Sequence, residues 1–147
     1  MSFVKTAFDI ARKQVFFCYP WQPLTEIARV MHINNIGSIL VRDDSGVKGI
    51  ITVNGLLRQM SNNADPEKTR ASDIMSSPVI TASKDLEIDE LAKKFHTHDV
   101  TRMVLVDSYN KVVGVVRDIA VFKYLTFFKY DESAKKTFAE DHLHMLY

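Results

Sequence analysis

The feature that most constrains this chain is an internal repeat. Asp9-Ile10 and Asp73-Ile74 lie 64 positions apart, and the apolar positions that follow keep the same spacing. One residue is then added in the second copy, so that Gly49 aligns with Gly114 at an offset of 65. The shared order extends over about 50 residues and is present twice, which favours two packed units over a solenoid. It predicts two similar units packed about a pseudo-twofold axis.

Each copy predicts the order strand, helix, strand, strand, helix, because runs of apolar residues alternate with segments of helical periodicity. In the first copy the predicted strands cover 15–18, 38–41 and 47–52, and the second helix covers 54–61. The first helix begins near Pro23, where a missing N–H is tolerated, and ends at Asn34-Asn35. The predicted fold class is therefore α/β (α+β), with two β-α-β-β-α repeats.

The second copy gives the same elements. Its predicted strands cover 79–81, 102–106 and 112–116, and its second helix covers 118–127. Asp85 is the predicted N-cap of the first helix, which ends at His98-Asp99. Because the strands are apolar almost without interruption, both faces of each sheet are predicted to be covered.

These patterns divide the chain into four segments. The first repeat covers 3–62, a polar linker with one proline covers 63–70, and the second repeat covers 71–128. Residues 129–147 form a C-terminal tail outside the repeat. The tail predicts one more helix, with Ala134, Phe138 and Met145 on one face, which covers the core or a partner subunit.

Charge and composition exclude several classes of function. The chain has 19 basic and 18 acidic side chains, so it has no overall field that would attract nucleic acid or an acidic membrane. Its longest apolar run is too short for a membrane span, and its first residues lack the apolar core of a signal peptide. A cytoplasmic location is expected. Cys18 is the one cysteine, and its apolar neighbours predict a buried, unreactive thiol.

No pattern predicts catalysis or a metal centre. His96 and His98, like His142 and His144, are two residues apart, and on a helix such a pair points to different sides. No metalloprotease, serine-nucleophile or phosphate-loop motif is present. We therefore predict no catalytic residue, no metal ligand and no required cofactor, with metal binding by an extended tail through His142 and His144 as the open alternative.

The second copy contains the most recognisable sequence. Lys68-Thr69-Arg70-Ala71-Ser72-Asp73-Ile74-Met75, followed by Ser77-Pro78-Val79, resembles the opening motif of cystathionine-β-synthase (CBS) domains. Residues 98–106 and 113–116 resemble later parts of the same family, as do residues 36–41 and 48–52 of the first copy. The resemblance covers residues 3–127 and occurs twice in the same order. The chain resembles a tandem CBS pair, or Bateman module.

The resemblance implies a function as well as a fold. CBS pairs commonly dimerise, and many bind adenine nucleotides in two clefts between the copies. They usually report cellular energy state to an attached or associated enzyme, channel or transporter. For this chain the resemblance implies a homodimer, with AMP, ADP or ATP as candidate ligand and an effector protein that is regulated in trans.

The family motif Gly-h-h-Ser/Thr-x-x-Asp, in which h is apolar, implies which residues hold the nucleotide. In the first copy it falls on residues 49–55, where Thr52 matches the phosphate contact and Gly55 replaces the ribose acid. Asn54, one residue earlier, is a candidate substitute. Thr52 is explained equally well as a helix N-cap, and Asn54 is also a residue that caps helices well.

In the second copy the motif falls on residues 114–120, where Arg117 replaces the hydroxyl residue and Ala120 replaces the acid. Arg117 offers donors suited to phosphate, or it pairs with a nearby acid such as Asp118. Asp118 is either a ribose ligand or a helix cap. The resemblance adds further cleft residues: Tyr19, Gly37, Ser38, Thr81, Thr101 and Arg102. Arg70 and Lys68 are either solvated linker charges or further phosphate contacts.

Two functions follow from these observations. The first is a non-enzymatic sensor that binds an adenine nucleotide and acts on a partner. The second is a dimerisation or scaffold module whose clefts no longer bind nucleotide, because both ribose acids are replaced.

Overall fold

A computed structural model of the chain describes residues 6–127, which form two compact units. The first unit consists of residues 16–79. The second unit combines residues 80–127 with residues 6–15, which open the first repeat in sequence. The helix predicted for the C-terminal tail lies outside the described residues.

The first unit contains a three-stranded sheet with helices. Its elements are β1 Phe17–Cys18, α1 Leu24–Ile33, β2 Ser38–Asp43, β3 Gly46–Thr52, α2 Val53–Ser61 and α3 Ala71–Ile74. The sheet order is β1-β2-β3. β1 runs parallel to β2, whereas β2 and β3 form an antiparallel hairpin.

The second unit repeats this arrangement. It contains a short 3-10 helix Ala7–Ile10, β4 Thr81–Ser83, α4 Ile88–His98, β5 Arg102–Val106, β6 Val112–Arg117 and α5 Asp118–Phe127. The sheet order is β4-β5-β6, with β4 parallel to β5 and β5 antiparallel to β6. The predicted fold class, with its two β-α-β-β-α repeats, is confirmed.

Boundaries differ from the prediction at the first strand of each copy. β1 begins at Phe17, two residues later than predicted, and β4 covers Thr81–Ser83 rather than 79–81. Asp85 is not the N-cap of α4, because Glu87 holds that position. Asp85 instead belongs to a turn, in which its N–H donates to Ser83 Oγ over 3.2 Å.

Each sheet is extended by the opening segment of the other repeat. In the second unit, Arg12 and Val115 exchange two backbone hydrogen bonds of 2.9 and 3.0 Å. In the first unit, Ser76 and Ile50 exchange two of 2.9 and 3.0 Å. These crossings need close approach, and a Cβ at Gly114 would lie 3.0 Å from the Arg12 carbonyl oxygen.

The repeated Asp-Ile pair has a structural reason. Asp9 Oδ2 accepts the N–H of Thr6 over 2.9 Å, and Asp73 Oδ2 accepts the N–H of Arg70 over 2.9 Å. In both cases the N–H stands at the start of a short helix, where no backbone carbonyl of that helix can accept it. The carboxylate accepts it instead. Neither short helix was predicted from the sequence.

The cores lie where the periodicity predicts them. The repeat aligns four apolar helix positions of each copy: Leu24, Ile27, Ala28 and Met31 in α1 with Ile88, Leu91, Ala92 and Phe95 in α4. Six of these eight are buried, whereas Ala28 is exposed and Ala92 is partly buried. Three successive residues of each central strand are also buried: Ile39, Leu40 and Val41 in β2, and Met103, Val104 and Leu105 in β5. Since successive strand residues point to opposite faces, both faces are covered, as predicted.

Candidate functional site

The end of β3 and the start of β2 meet at one corner of the first unit's sheet. Ser38 pairs with Thr52 across the hairpin, and the N–H of Val53 donates to the carbonyl of Gly37 over 3.1 Å. The chain turns here because α2 begins directly after β3. The structure thus brings Gly37, Ser38 and Thr52 together, and we call this place the Thr52 corner.

Thr52 is the N-cap of α2. Its Oγ1 accepts the N–H of Gly55 over 3.1 Å. A hydroxyl that accepts one hydrogen bond still has its own hydrogen to donate, for example to a phosphate oxygen. The two interpretations of Thr52, as helix cap and as ligand contact, are therefore compatible. Asn54 lies in the first turn of α2 and is exposed.

The same corner of the second unit is charged. Arg102 pairs with Arg117 across the β5–β6 hairpin, and the N–H of Asp118 donates to the carbonyl of Thr101 over 2.9 Å. α5 begins at Asp118. Four predicted site residues therefore share this place, which we call the Arg117 corner.

The electrostatics of the Arg117 corner favour an anion. Burial lowers the pKa of the Arg102 guanidinium, the charge of Arg117 lowers this pKa further, and Asp118 opposes the shift. Asp118 also accepts the N–H of Ile119 over 2.7 Å. The corner thus holds two guanidinium groups and one carboxylate, and such a pair of arginines has donors suited to an anion such as phosphate.

Two predicted site residues lie away from these pairs. Tyr19 follows Cys18, which pairs with Val41 in the parallel β1–β2 ladder. Because Ser38 begins β2, Tyr19 lies toward the opposite end of the sheet and is not brought together with the Thr52 corner. Thr81 begins β4 and pairs with Val104, two residues along β5 from the Arg117 corner, so it lies about 7 Å along the strand from that pair.

The sequence prediction missed an aromatic pair beside Tyr19. The rings of Tyr19 and Trp21 stack with centroids 5.4 Å apart and an angle of 3° between their planes. The side chain of Arg70 donates to the carbonyl of Trp21. Arg70 is therefore held against the turn that contains Tyr19 and Trp21. The sequence indicates Arg70 as either a solvated charge or a phosphate contact, and does not predict this hydrogen bond.

Other predicted properties can be placed in the structure. Cys18 is buried as predicted, and burial raises the pKa of its thiol to about 11. Within residues 6–127, no group of three or more His, Cys, Asp or Glu side chains is arranged to hold a metal ion. None of the helices in this part of the chain has the length and apolar character needed to cross a bilayer.

Comparison with known proteins identifies a family and several relatives. The CBS domain family matches residues 7–62 and 71–126. Protein MK0525 of Methanopyrus kandleri is 34% identical over 110 residues, which cover 74% of this chain and 56% of that protein. The CBS domain-containing protein YhcV of Bacillus subtilis is 28% identical over 123 residues, or 82% of this chain and 85% of YhcV. The chain thus spans only about half of the Methanopyrus relative.

A solved structure with the same fold carries ligands. It is the CBS domain pair of protein MJ0100 in complex with 5′-methylthioadenosine and S-adenosyl-L-methionine. Its TM-score is 0.71 and its sequence identity is 27%, and the match covers 84% of this chain and 97% of that one.

Proposed function

Because the chain belongs to the CBS domain family and carries two copies of the domain in tandem, we propose that it is a non-enzymatic regulatory module that binds an adenine nucleotide. AMP, ADP and ATP are the candidates. The observation that carries the proposal is the Arg117 corner, where two guanidinium groups and the start of α5 meet. The module would act on a separate effector protein.

The adenosine part of the proposal is supported by the relative with bound ligands. The two compounds in the MJ0100 complex both contain adenosine, and neither contains a phosphate. In this chain, Arg102 and Arg117 supply the cationic donors that a phosphate requires. Asp118 is positioned beside them as a candidate acceptor for the ribose hydroxyls. A phosphorylated adenosine therefore suits this corner better than an uncharged one.

The Thr52 corner is proposed as the weaker site. Gly37, Ser38, Thr52 and Asn54 are all uncharged, so the corner offers hydroxyl and backbone donors but no cation. Gly55 replaces the acid that the family motif places there. We expect this corner to contribute little to phosphate binding.

Regulation would follow from a shift between conformations of the module. A ligand changes such an equilibrium only by the difference between its affinities for the two states. The two guanidinium groups repel each other when the corner is empty and are bridged when a phosphate is bound. The effector would sense that change on the surface of the module.

Isothermal titration of the full chain with AMP, ADP and ATP tests the proposal. Adenosine is the control ligand, since it lacks only the phosphate, and Arg29→Gln is the control variant, since Arg29 is an exposed arginine of α1 in the other unit. We expect a nucleotide to bind more tightly than adenosine. Arg117→Gln should lose about 1.5–3 kcal/mol of that binding, whereas Arg29→Gln should lose none.

Two results would contradict the proposal. One is equal affinity for adenosine and all three nucleotides, which would mean that no phosphate contact is made. The other is an unchanged nucleotide affinity in Arg117→Gln. Binding of S-adenosylmethionine and of no nucleotide would still support a regulatory module. Its ligand would then be of the type bound by the MJ0100 pair.

A specific observation favours a second candidate, a ligand-free dimerisation or scaffold module. The second helix of each repeat exposes large apolar side chains, among them Leu57 at 55% and Phe122 at 64% of their full accessible area. Such side chains are typical of contact surfaces. No binding of any tested ligand, together with a stable dimer in light scattering, would support this candidate over the sensor.

A further inference from the structure

Asn54 and Gly55 form the one Asn-Gly pair of the chain. In such a pair the backbone nitrogen of the glycine can attack the side-chain amide of the asparagine, because glycine has no Cβ to hinder the approach. Every other asparagine is followed by a residue with a side chain. The sequence therefore indicates Asn54 as the asparagine most prone to deamidation.

This reaction needs only water as a co-reactant. The Gly55 nitrogen loses its proton and bonds to Cγ of Asn54, the bond from Cγ to Nδ2 breaks, and the nitrogen leaves as ammonia with that proton. The five-membered imide that results then adds water and opens to an aspartate or an isoaspartate, both of which are negatively charged. A Gly55 nitrogen that is free to attack is thus the requirement for modification.

The structure holds that nitrogen by one hydrogen bond. α2 begins at Val53, so Gly55 is its third residue, and the N–H groups of a first turn have no carbonyl acceptor within their helix. Thr52 Oγ1 accepts the Gly55 N–H over 3.1 Å. The cap, rather than the backbone hydrogen bonds of the helix, therefore keeps the attacking nitrogen occupied.

The side chain of Asn54 has no such restraint. It is exposed and forms no hydrogen bond with any of the described residues, whereas Asn34 Nδ2 donates to the carbonyl of Val30 over 2.8 Å. A Cβ at Gly55 would meet Thr52 Oγ1 at 3.6 Å, and beyond the helix backbone and the chain neighbours no other described atom lies within 4 Å of that position. Opening of the cap therefore leaves space for Asn54 and Gly55 to react.

We propose that Asn54 is the deamidation site of this chain and that the Thr52 cap sets the rate of its modification. The product carries a negative charge at the Thr52 corner, which its own side chains leave uncharged. An aspartate is compatible with α2, since acids in a first turn complement the helix dipole. An isoaspartate adds a methylene to the main chain and so disrupts the first turn. Neither product requires a nucleotide, so this site is independent of the function proposed above.

Peptide mapping by mass spectrometry tests the proposal on the full-length chain, incubated at a mildly alkaline pH that favours loss of the amide proton. We expect Asn54 to be modified before any other asparagine. Thr52→Ala should speed this modification about fivefold, the factor that corresponds to the ~1 kcal/mol cost of removing a threonine cap. Thr52→Ser supplies the same acceptor and should restore the natural rate. Gly55→Ala should slow the reaction, because its Cβ hinders the attack.

Two comparisons separate loss of the cap from general unfolding. Modification of Asn110, which lies between β5 and β6 in the other unit, should be equally slow in Thr52→Ala and in the natural chain. In urea, where no cap exists, both chains should be modified at Asn54 at one faster rate. Four results would overturn the proposal: another asparagine that reacts first, a folded Thr52→Ala chain that reacts no faster than the natural one, a parallel rise at Asn110, or a folded natural chain that reacts as fast as in urea.

Discussion

Replacing Gly114 with alanine should destabilise the protein, because another segment of backbone crosses β6 at this residue. A Cβ at position 114 would lie 3.0 Å from the Arg12 carbonyl oxygen and 3.3 Å from the Cβ of Ala11. Both neighbours belong to the segment that hydrogen-bonds to Val115. That segment must move by a few tenths of an ångström, since none of these atoms is the end of a flexible side chain.

The size of the effect follows from two opposing contributions. Overpacking a well-packed site typically costs about 1–3 kcal/mol. An alanine also restricts the unfolded chain, which returns about 0.4–1 kcal/mol. We therefore expect Gly114→Ala to lower the free energy of unfolding by about 1–2 kcal/mol.

Gly55→Ala is the matched control, with the opposite sign. Gly55 lies inside α2, and a Cβ there would meet Thr52 Oγ1 at 3.6 Å, an ordinary contact distance. Alanine in a helix is more stable than glycine by about 0.5–1 kcal/mol. Urea unfolding of both variants gives the two changes directly. A Gly114→Ala variant as stable as the natural protein would refute the close crossing of residues 11–12 over β6.

Three further predictions concern other parts of the structure. Burial raises the pKa of Cys18 from 9.0 to about 11, so the stabilisation that comes from keeping this thiol neutral in the folded state is fully present below pH 9. The unfolding free energy of the natural protein, measured against Cys18→Ala, should therefore fall between pH 9 and about 11, and a constant difference would contradict this. Asp73→Ala removes the acceptor for the Arg70 N–H and should cost about 1 kcal/mol in urea unfolding, more than Asp73→Asn. Trp21 is the one tryptophan and is 61% exposed, so acrylamide should quench its fluorescence readily, and Tyr19→Ala should change its emission; a shielded tryptophan would contradict the exposed stack.

The helices and strands could be predicted because their signals are local. The apolar spacing of Leu24, Ile27 and Met31 places three side chains on one face of a helix, and all three are buried. Asn35 and Asp99 end their helices with φ values of 51° and 50°, a conformation that Asn and Asp tolerate better than most residues. Each of these features depends on a few neighbouring residues, so the sequence is sufficient to indicate it.

The pairing of the flanking segments could not be predicted, because it depends on contacts far apart in the chain. Arg12 and Val115 are paired although a whole repeat lies between them. Nothing in the sequence around residue 12 distinguishes β6 from the equivalent strand β3 as its partner. The distance of Tyr19 from the Thr52 corner could not be predicted for a related reason: it depends on the parallel direction of β1 against β2, which the pattern of apolar residues does not indicate.

The two corners show how equivalent positions of one duplicated fold can carry side chains of different charge. The hairpin pairing that forms each corner depends on backbone hydrogen bonds, so the residues at 52 and 117 can change without altering the sheet. Thr52 keeps its corner uncharged and also caps α2, whereas Arg117 faces a second arginine. Two like charges held together destabilise the folded protein unless an opposite charge offsets them, and Asp118 offsets this pair in part. Since this repulsion exists at the Arg117 corner and not at the uncharged Thr52 corner, the phosphate proposed above would gain more from binding at the Arg117 corner.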